Sequence, residues 1–367
     1  MTVRTLLAAG PGEPGSRVAV ISGSYGAGHD AAARELVARL RHAGCEVEIH
    51  DIVDLLPWRL GQLLRTVYYA QLRRLPGSWG ATLDFLEPGR SPYRLVTRLL
   101  GLAARSVAAA VADCDLVLTT HPFGAQALGQ ARATGRLDCP AVTYFTDASV
   151  HSLWVHPGID LNLAIHRVAA DDAARWGAAS TVVAPLVPVR VRRDGRGSGP
   201  DPLASLSVVG SRVLVAGGSL GMGDLEATCR DILATGMSTP VVLCGTDESL
   251  RHRLERIPGV VALGWRDDLP ALMASSECVI QNAGGFTSLE ALASGVPVIT
   301  YRPIPGHGEA NSANLEKAGL VPWARSTDDL ALLLAAAKDA PRVDRLPSGA
   351  PQVVAVLTGR TVAVVAA

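Results

Sequence analysis

One pattern constrains this chain more than any other. Short apolar runs, each closing on a turn and a helix-like stretch, form a series that occurs twice. The first series opens with "RVAVIS" (17–22), a Gly-rich turn and a helix from about Asp30 to His42, with Gly44 where a C-terminal cap belongs. It continues through "CEVEIHD", "DLVLTTHP", "PAVTYFTD", "DLNLAI" and "TVVA". The stretch 190–207, rich in Arg, Gly and Pro and without hydrophobic period, reads as a linker. The series then restarts with "RVLVAGGSLGMG" and runs through "PVVLCG", "VVALGW", "CVIQNAGG" and "VPVITY". Strands alternating with helices argue for parallel, doubly wound sheets. The expectation is an α/β chain of two Rossmann-like domains, 1–189 and 208–367, with a ligand cleft between them at the carboxyl ends of the strands. The apolar tail "PQVVAVLTGRTVAVVAA" is expected to pack back on the body.

The 34 basic residues balance 34 acidic ones, so no overall field favours nucleic acid. Only Lys317 and Lys338 stand against 32 arginines, which reflects a GC-rich genome rather than a function. The six cysteines are scattered and sit in or beside apolar runs, as buried free thiols do. The N-terminus lacks a long apolar core, and no window reaches the ~18 uninterrupted apolar residues of a spanning helix. A cytoplasmic protein is expected, peripheral at the inner face of the plasma membrane if it touches a bilayer at all.

Two glycine-bearing segments invite chemistry. "SGSYGAGHDAAARELV" (22–37) taken alone looks like a phosphate loop, with Gly23, Gly26 and Gly28 ahead of a helix that carries His29. In "QNAGGFTSLEALASGVPVITYRPIPGHGEANSANLEKAG" (281–319), Gly284 and Gly285 turn the chain into a helix with Thr287 in its first turn. Free backbone N–H groups, a hydroxyl and the positive helix end would hold a diphosphate without any metal. Glu290, one turn on, is placed to reach a ribose hydroxyl pair, although glutamate near a helix start is also simply favourable.

The second segment resembles the nucleotide-sugar motif of the glycosyltransferases that make monogalactosyldiacylglycerol, of glycosyltransferase family 28. It is similar also to the N-acetylglucosaminyltransferase that forms lipid II. Three further stretches match in order: "SGSYGAGHDAAA", "VLVAGGSLGMGDLEAT" (213–228) and "GWRDDLPALMASSECVIQNAGG". The resemblance covers most of residues 17–320. It implies the GT-B fold, two Rossmann-like domains facing across a cleft, with a UDP-sugar donor on the second. Under it, the backbone at Trp265 and Arg266 faces uracil, and Gly284, Gly285 and Thr287 hold the diphosphate. Glu290 binds ribose, Gly217, Gly218 and Ser219 line the cleft, and Asn311 approaches sugar hydroxyls. Where the family typically has Gly-Gln-Glu at the sugar, this chain reads Gly306, His307, Gly308, with Glu309 one place later. Those positions leave the identity of the sugar open.

The implied reaction is a direct, inverting displacement of UDP by an acceptor hydroxyl, through an oxocarbenium-like state. It needs one base, no cofactor and no metal. His29 suits the base, because the positive end of a helix disfavours imidazolium; the alternative is that it bonds phosphate or caps the loop. Asp147, in "FTDAS", is placed to orient or replace it, or to cap a turn. His121, in "TTHPFG", joins Gly26 and Gly28 on the acceptor side. "DCD" (113–115) mimics a manganese signature but precedes a strand, and His151 and His156 lack ligand spacing.

Residues 55–105 carry eight arginines, with Trp58, Tyr68, Tyr69 and Trp79 among Leu and Val. Such an insertion can lie on an anionic bilayer and admit a lipid acceptor such as diacylglycerol; otherwise it is an amphipathic insertion with a solvated Arg face. Competing readings are a soluble secondary-metabolite acceptor, a UDP-sugar epimerase and a UDP-sugar sensor. A further rival is an NAD(P)- or FAD-dependent oxidoreductase that uses Asp51 on a ribose.

Overall fold

The computed structural model describes residues 15–74, 78, 82, 86, 88, 91–188, 201–204, 211–344, 346 and 349–358. They fall into two units, one running to Leu186 and taking in the chain from 347 onward, the other Val187–Leu346.

The first unit is built on a six-stranded parallel sheet of β1 Arg17–Ser22, β2 Glu46–Asp51, β3 Leu116–Thr119, β4 Ala141–Tyr144, β5 Leu161–Ala164 and β6 Ser180–Val182. Its strand order is β2-β1-β3-β4-β5-β6. The chain leaves β1 to one side for β2 and returns on the other as β3, so the topological switch lies between β1 and β3. Ile21 pairs with His50 of β2 and with Thr119 of β3, which brings both β1 and β3 to the same carboxyl edge. Helix Ala27–His42 buries Ala32, Ala33, Leu36, Val37 and Leu40, the 3.6-residue face that the sequence carries. It stops at Ala43, and Gly44 comes next with φ +93°, the left-handed residue that ends a helix best as glycine.

The second unit holds β7 Arg212–Ala216, β8 Thr239–Leu243, β9 Val261–Leu263, β10 Cys278–Gln281, β11 Val298–Tyr301 and β12 Trp323–Ala324. The order β12-β11-β10-β7-β8-β9 places its switch between β7 and β10. The fully buried strand residues Val213, Val215, Ile280 and Ile299 form its centre. The doubly wound expectation therefore holds in both units.

Three details differ from or refine the sequence expectation. The tail does not belong to 208–367: helix Val353–Leu357 packs on Ala27–His42 of the first unit. Val353 and Leu357 are fully buried there, Pro351 O accepts from Ala184 N at 2.9 Å, and Gln352 Oε1 accepts from Arg39 Nη1 at 2.9 Å. Those buried valine and leucine side chains explain why the segment returns. Of the expected linker 190–207, the described part, 201–204, is anchored: Leu203 is buried and Asp201 pairs with Arg212 at 2.5 Å. The remainder of that stretch lies outside the described residues. All six cysteines are free thiols, five of them buried, and burial pushes Cys229 and Cys278 up to about 12.

Candidate active site

The carboxyl edge of the first sheet gathers three loops. Gly23 succeeds β1, Thr120 and His121 succeed β3, and Thr146 and Asp147 lie just beyond β4. His29 lies in the first turn of helix Ala27–His42 and joins all three. Its Nδ1 stands 2.9 Å from Thr120 O and 2.9 Å from Thr146 Oγ1, while Thr120 Oγ1 donates to His29 O at 3.1 Å. A carbonyl oxygen can only accept, so Nδ1 carries the hydrogen and the lone pair of the neutral ring lies on Nε2. This is the tautomer that a base acting through Nε2 requires.

His121 has the opposite tautomer. It caps helix Pro122–Ala133 by accepting from Phe123 N at Nδ1, at 3.1 Å, so its hydrogen is on Nε2. Its ring stacks on Tyr25 at 4.9 Å and meets His29 edge-on at 4.6 Å between centroids. Burial, reinforced by the neighbouring His29, pushes its pKa well below the usual histidine range against the opposing pull of Asp147. Gly23 exists for this ring, since a Cβ there would stand 2.5 Å from His121 Cγ. Gly26, by contrast, has open space around it, and Gly28 is already inside the helix. The glycines expected to admit an anion thus serve, at Gly23, to admit an imidazole. Asp147 is buried beside this group and acts electrostatically on His121 and Tyr68.

The 55–105 insertion is fastened to the same loop. Arg65 Nη1 donates to Ser24 Oγ at 2.6 Å, Tyr69 Oη to Ser24 O at 3.1 Å, and Tyr25 Oη to Gly61 O at 3.1 Å. On helix Leu60–Arg74, Leu60, Leu64 and Tyr68 face the core, while Leu63 and Val67 face outward. Trp58 is 84% exposed, and with Arg59 it adopts positive φ (53° and 59°), a conformation L side chains rarely take. Leu95, Arg94 and Arg98 are exposed on Ser91–Gly101. Trp79 lies outside the described residues.

In the second unit, the loop after β7 carries Gly217, Gly218 and Ser219. Gly218 has φ +71°, and a Cβ on Gly217 would stand 2.7 Å from Leu225 Cδ1. Ser219 O accepts from Thr246 N at 2.9 Å, tying the loop to that after β8. Trp265 is exposed with Nε1 on Asp267 Oδ1 at 3.1 Å, and Arg266 is paired with Asp268, whose carboxyl it holds below the usual range.

The turn after β10 is held by its own side chains. The N–H groups of Ala283 and Gly284 both donate to the side-chain oxygen of Gln281, so the Gly284 amide is already occupied. Gln281 is itself held by Thr300 Oγ1 at 2.5 Å. Asn311, expected at the sugar, is 1% exposed and donates through Nδ2 to Ala283 O at 3.0 Å and to His307 Nε2 at 3.1 Å. Its packing against the turn is what demands glycine at 284, where a Cβ would lie 2.7 Å from Asn311 Cβ. Glu309 Oε2 accepts from Gly306 N at 3.1 Å and so caps its own helix, His307–Lys317. Helix Phe286–Ala293 remains bare at its start: its N-cap is Gly285, no side chain caps it, and nothing lies within 4 Å of a Cβ at Gly285. Thr287 and Glu290 stand half-buried on that helix.

Sequence reasoning passed over Thr120, Thr146, Gln281 and Asn282. Asn282 Nδ2 donates to Met222 O at 2.7 Å and its backbone carbonyl accepts from Ile304 N at 2.8 Å, so it ties together three loops. Only the polar pair at each strand end could have signalled these residues, and their partners come from distant strands. Asp51, the acid of the dinucleotide reading, has Oδ1 engaged by Val53 N at 2.9 Å and Ser24 N at 3.3 Å. Asp115 accepts from Arg17 N at 2.8 Å, and Asp113 lies 3.5 Å from Arg17 Nη1, so "DCD" is a strand-start anchor. Among the described residues no group of three or more His, Cys, Asp or Glu is placed to hold a metal ion. No described helix is long and apolar enough to cross a membrane.

Residues 29–186 match the sequence profile of the monogalactosyldiacylglycerol (MGDG) synthase family. The chain is 24% identical over 336 residues to a processive diacylglycerol beta-glucosyltransferase of Bacillus cereus, covering 83% of this chain and 80% of that one. Among solved structures, Acinetobacter baumannii MurG superposes with a TM-score of 0.55 at 15% identity, covering 94% of this chain and 95% of that one. Anabaena HepE, in complex with UDP and glucose, gives 0.50 at 15% identity, covering 94% of this chain and 98% of that one. Two Rossmann-like units, the fold of these solved structures and the sequence match lead to one conclusion: the chain is a glycosyltransferase of the GT-B fold whose residues 29–186 resemble the MGDG synthases.

Proposed function

We propose that the protein is an inverting transferase that moves a hexose-type sugar from a UDP-sugar to a hydroxyl of a lipid such as diacylglycerol. The observation that carries the reading is His29, whose Nδ1–H is fixed by Thr120 O so that Nε2 has the lone pair. In this mechanism the acceptor hydroxyl gives its proton to Nε2 as its oxygen bonds to the anomeric carbon. The bond from that carbon to the UDP oxygen breaks on the opposite side, and UDP leaves with the electron pair. The uncapped start of Phe286–Ala293 supports the diphosphate: its first-turn N–H groups and positive pole favour the charge that grows on the leaving group. Neither step calls on a metal or cofactor.

The lipid acceptor is supported by the diacylglycerol-acting relative and by the insertion, which joins exposed Trp58, Leu63, Val67 and Leu95 to exposed Arg59, Arg94 and Arg98. Apolar side chains among arginines suit the surface of an anionic bilayer, where the protein would act as a peripheral enzyme on the cytoplasmic side. A screen of UDP-sugars with vesicles containing diacylglycerol, read by UDP release and by mass spectrometry of the lipid, tests this. A glycosylated lipid with inverted anomeric configuration is expected. UDP release only with a soluble acceptor would overturn the lipid assignment, and sugar interconversion without UDP release would overturn transfer.

A further inference from the structure

His121 is an unusual side chain for a merely structural role. It is 3% exposed, its Nδ1 is committed to Phe123 N, and its Nε2–H has no hydrogen-bond partner among the described residues. The imidazole sits at the β1/β3 switch, where ligands of doubly wound sheets bind. The chain also keeps glycine at 23, where any side chain would collide with the ring. A helix cap alone would need none of this, because an aspartate carboxylate accepts the same N–H and carries no donor of its own.

We propose that His121 contacts the acceptor substrate, donating Nε2–H to an oxygen of the hydroxyl-bearing group beside His29. The assignment rests on the transferase reading and adds to it a second residue on the acceptor, of opposite hydrogen-bonding sense. His29 accepts the hydroxyl proton; His121 gives a hydrogen bond and keeps its own proton throughout. Burial holds the His121 ring neutral, so it remains a donor without competing for the proton that His29 takes. The edge-on contact of the two rings, 4.6 Å between centroids, keeps both on one small group of atoms.

The test uses the full chain, a UDP-sugar that it turns over, and dioctanoylglycerol. His121→Asn retains an oxygen for Phe123 N but lacks the Nε2–H, whereas the longer His121→Gln brings an amide N–H back toward that position. The KM for dioctanoylglycerol should rise roughly tenfold in His121→Asn and recover in His121→Gln, with UDP affinity the same in both. An unchanged acceptor KM in a folded His121→Asn overturns the proposal, as does a matching loss of UDP affinity. Histidine 15N spectra of the wild type give a second arm that needs no variant. The His121 Nε2–H signal should shift on adding dioctanoylglycerol, and an unmoved signal while transfer proceeds contradicts the contact. Wild-type protein that releases UDP from no donor overturns the transferase reading itself.

Discussion

The two Gly-rich loops look alike in sequence and do opposite work. Each leads from a strand end into a helix whose N-cap is a glycine, Gly26 in the first unit and Gly285 in the second, and neither helix has a side-chain cap. After Gly26 the first turn is filled with polar side chains: His29 bonds to Thr120 and Thr146, and Asp30 accepts from Ser22 Oγ at 2.5 Å. After Gly285 comes Phe286, Thr287 and the buried Ser288, whose Oγ has no hydrogen-bond partner among the described residues. The first helix start presents an imidazole and the second presents bare backbone. A glycine count therefore does not identify a phosphate site; the side chains of the next helical turn do.

The comparison breaks most visibly at His29. His29→Ala should lower turnover at least about a hundredfold while the melting temperature stays close to wild type, read by steady-state UDP release and thermal unfolding. A variant with normal turnover would remove His29 from the base role.

Acid should separate the two units next. Burial lowers His166 to about 4 and His121 well below its usual range, and both belong to the first unit. An unfolded histidine titrates near 6.5, so as pH falls the unfolded chain takes up protons first. The stability these neutral rings contribute is complete above about pH 7 and is lost as pH falls from about 6.5 toward 4. On the order of 2 kcal/mol should disappear by pH 4.5 from His166 alone. Hydrogen exchange should show the first unit loosening before the second. His166→Asn, which can still accept from Ala169 N, should flatten the urea-midpoint profile; equal loosening of both units would contradict the assignment.

Thr146→Val should have the smallest effect, a loss of roughly threefold to tenfold in turnover. It removes one of the two oxygens at His29 Nδ1 and leaves Thr120 O in place. A loss as large as that of His29→Ala would mean that Thr146, not Thr120, fixes the tautomer.

Much of this was legible in the sequence because it is local. Apolar runs, Gly44 as a helix stop, and His29 at a helix start are all set by spacing along the chain. At Gly284, Glu309 and Asn311 the motif was legible, but the local partners of these residues were not. Gly284 N is occupied by Gln281, Glu309 caps Gly306 N, and Asn311 buttresses Ala283 O. Each of those outcomes is a competition among nearby polar groups, decided by the fold of the turn rather than by residue type. Thr120 and Thr146 were invisible for a different reason: they meet His29 across 91 and 117 residues of chain, through strands made neighbours by the sheet order. The return of Val353–Leu357 to the first unit is a long-range contact of the same kind.

The division of labour between the loops can be tested with one substitution made twice. Both Gly26 and Gly285 have open space where a Cβ would go, and both have negative φ, so Asp is sterically admissible at each. At a helix start it would cap the N–H groups and set a carboxylate where an anion would bind. UDP affinity measured by calorimetry should fall at least about tenfold in Gly285→Asp and stay within about threefold of wild type in Gly26→Asp. Weakened UDP binding in Gly26→Asp with none in Gly285→Asp would contradict the account.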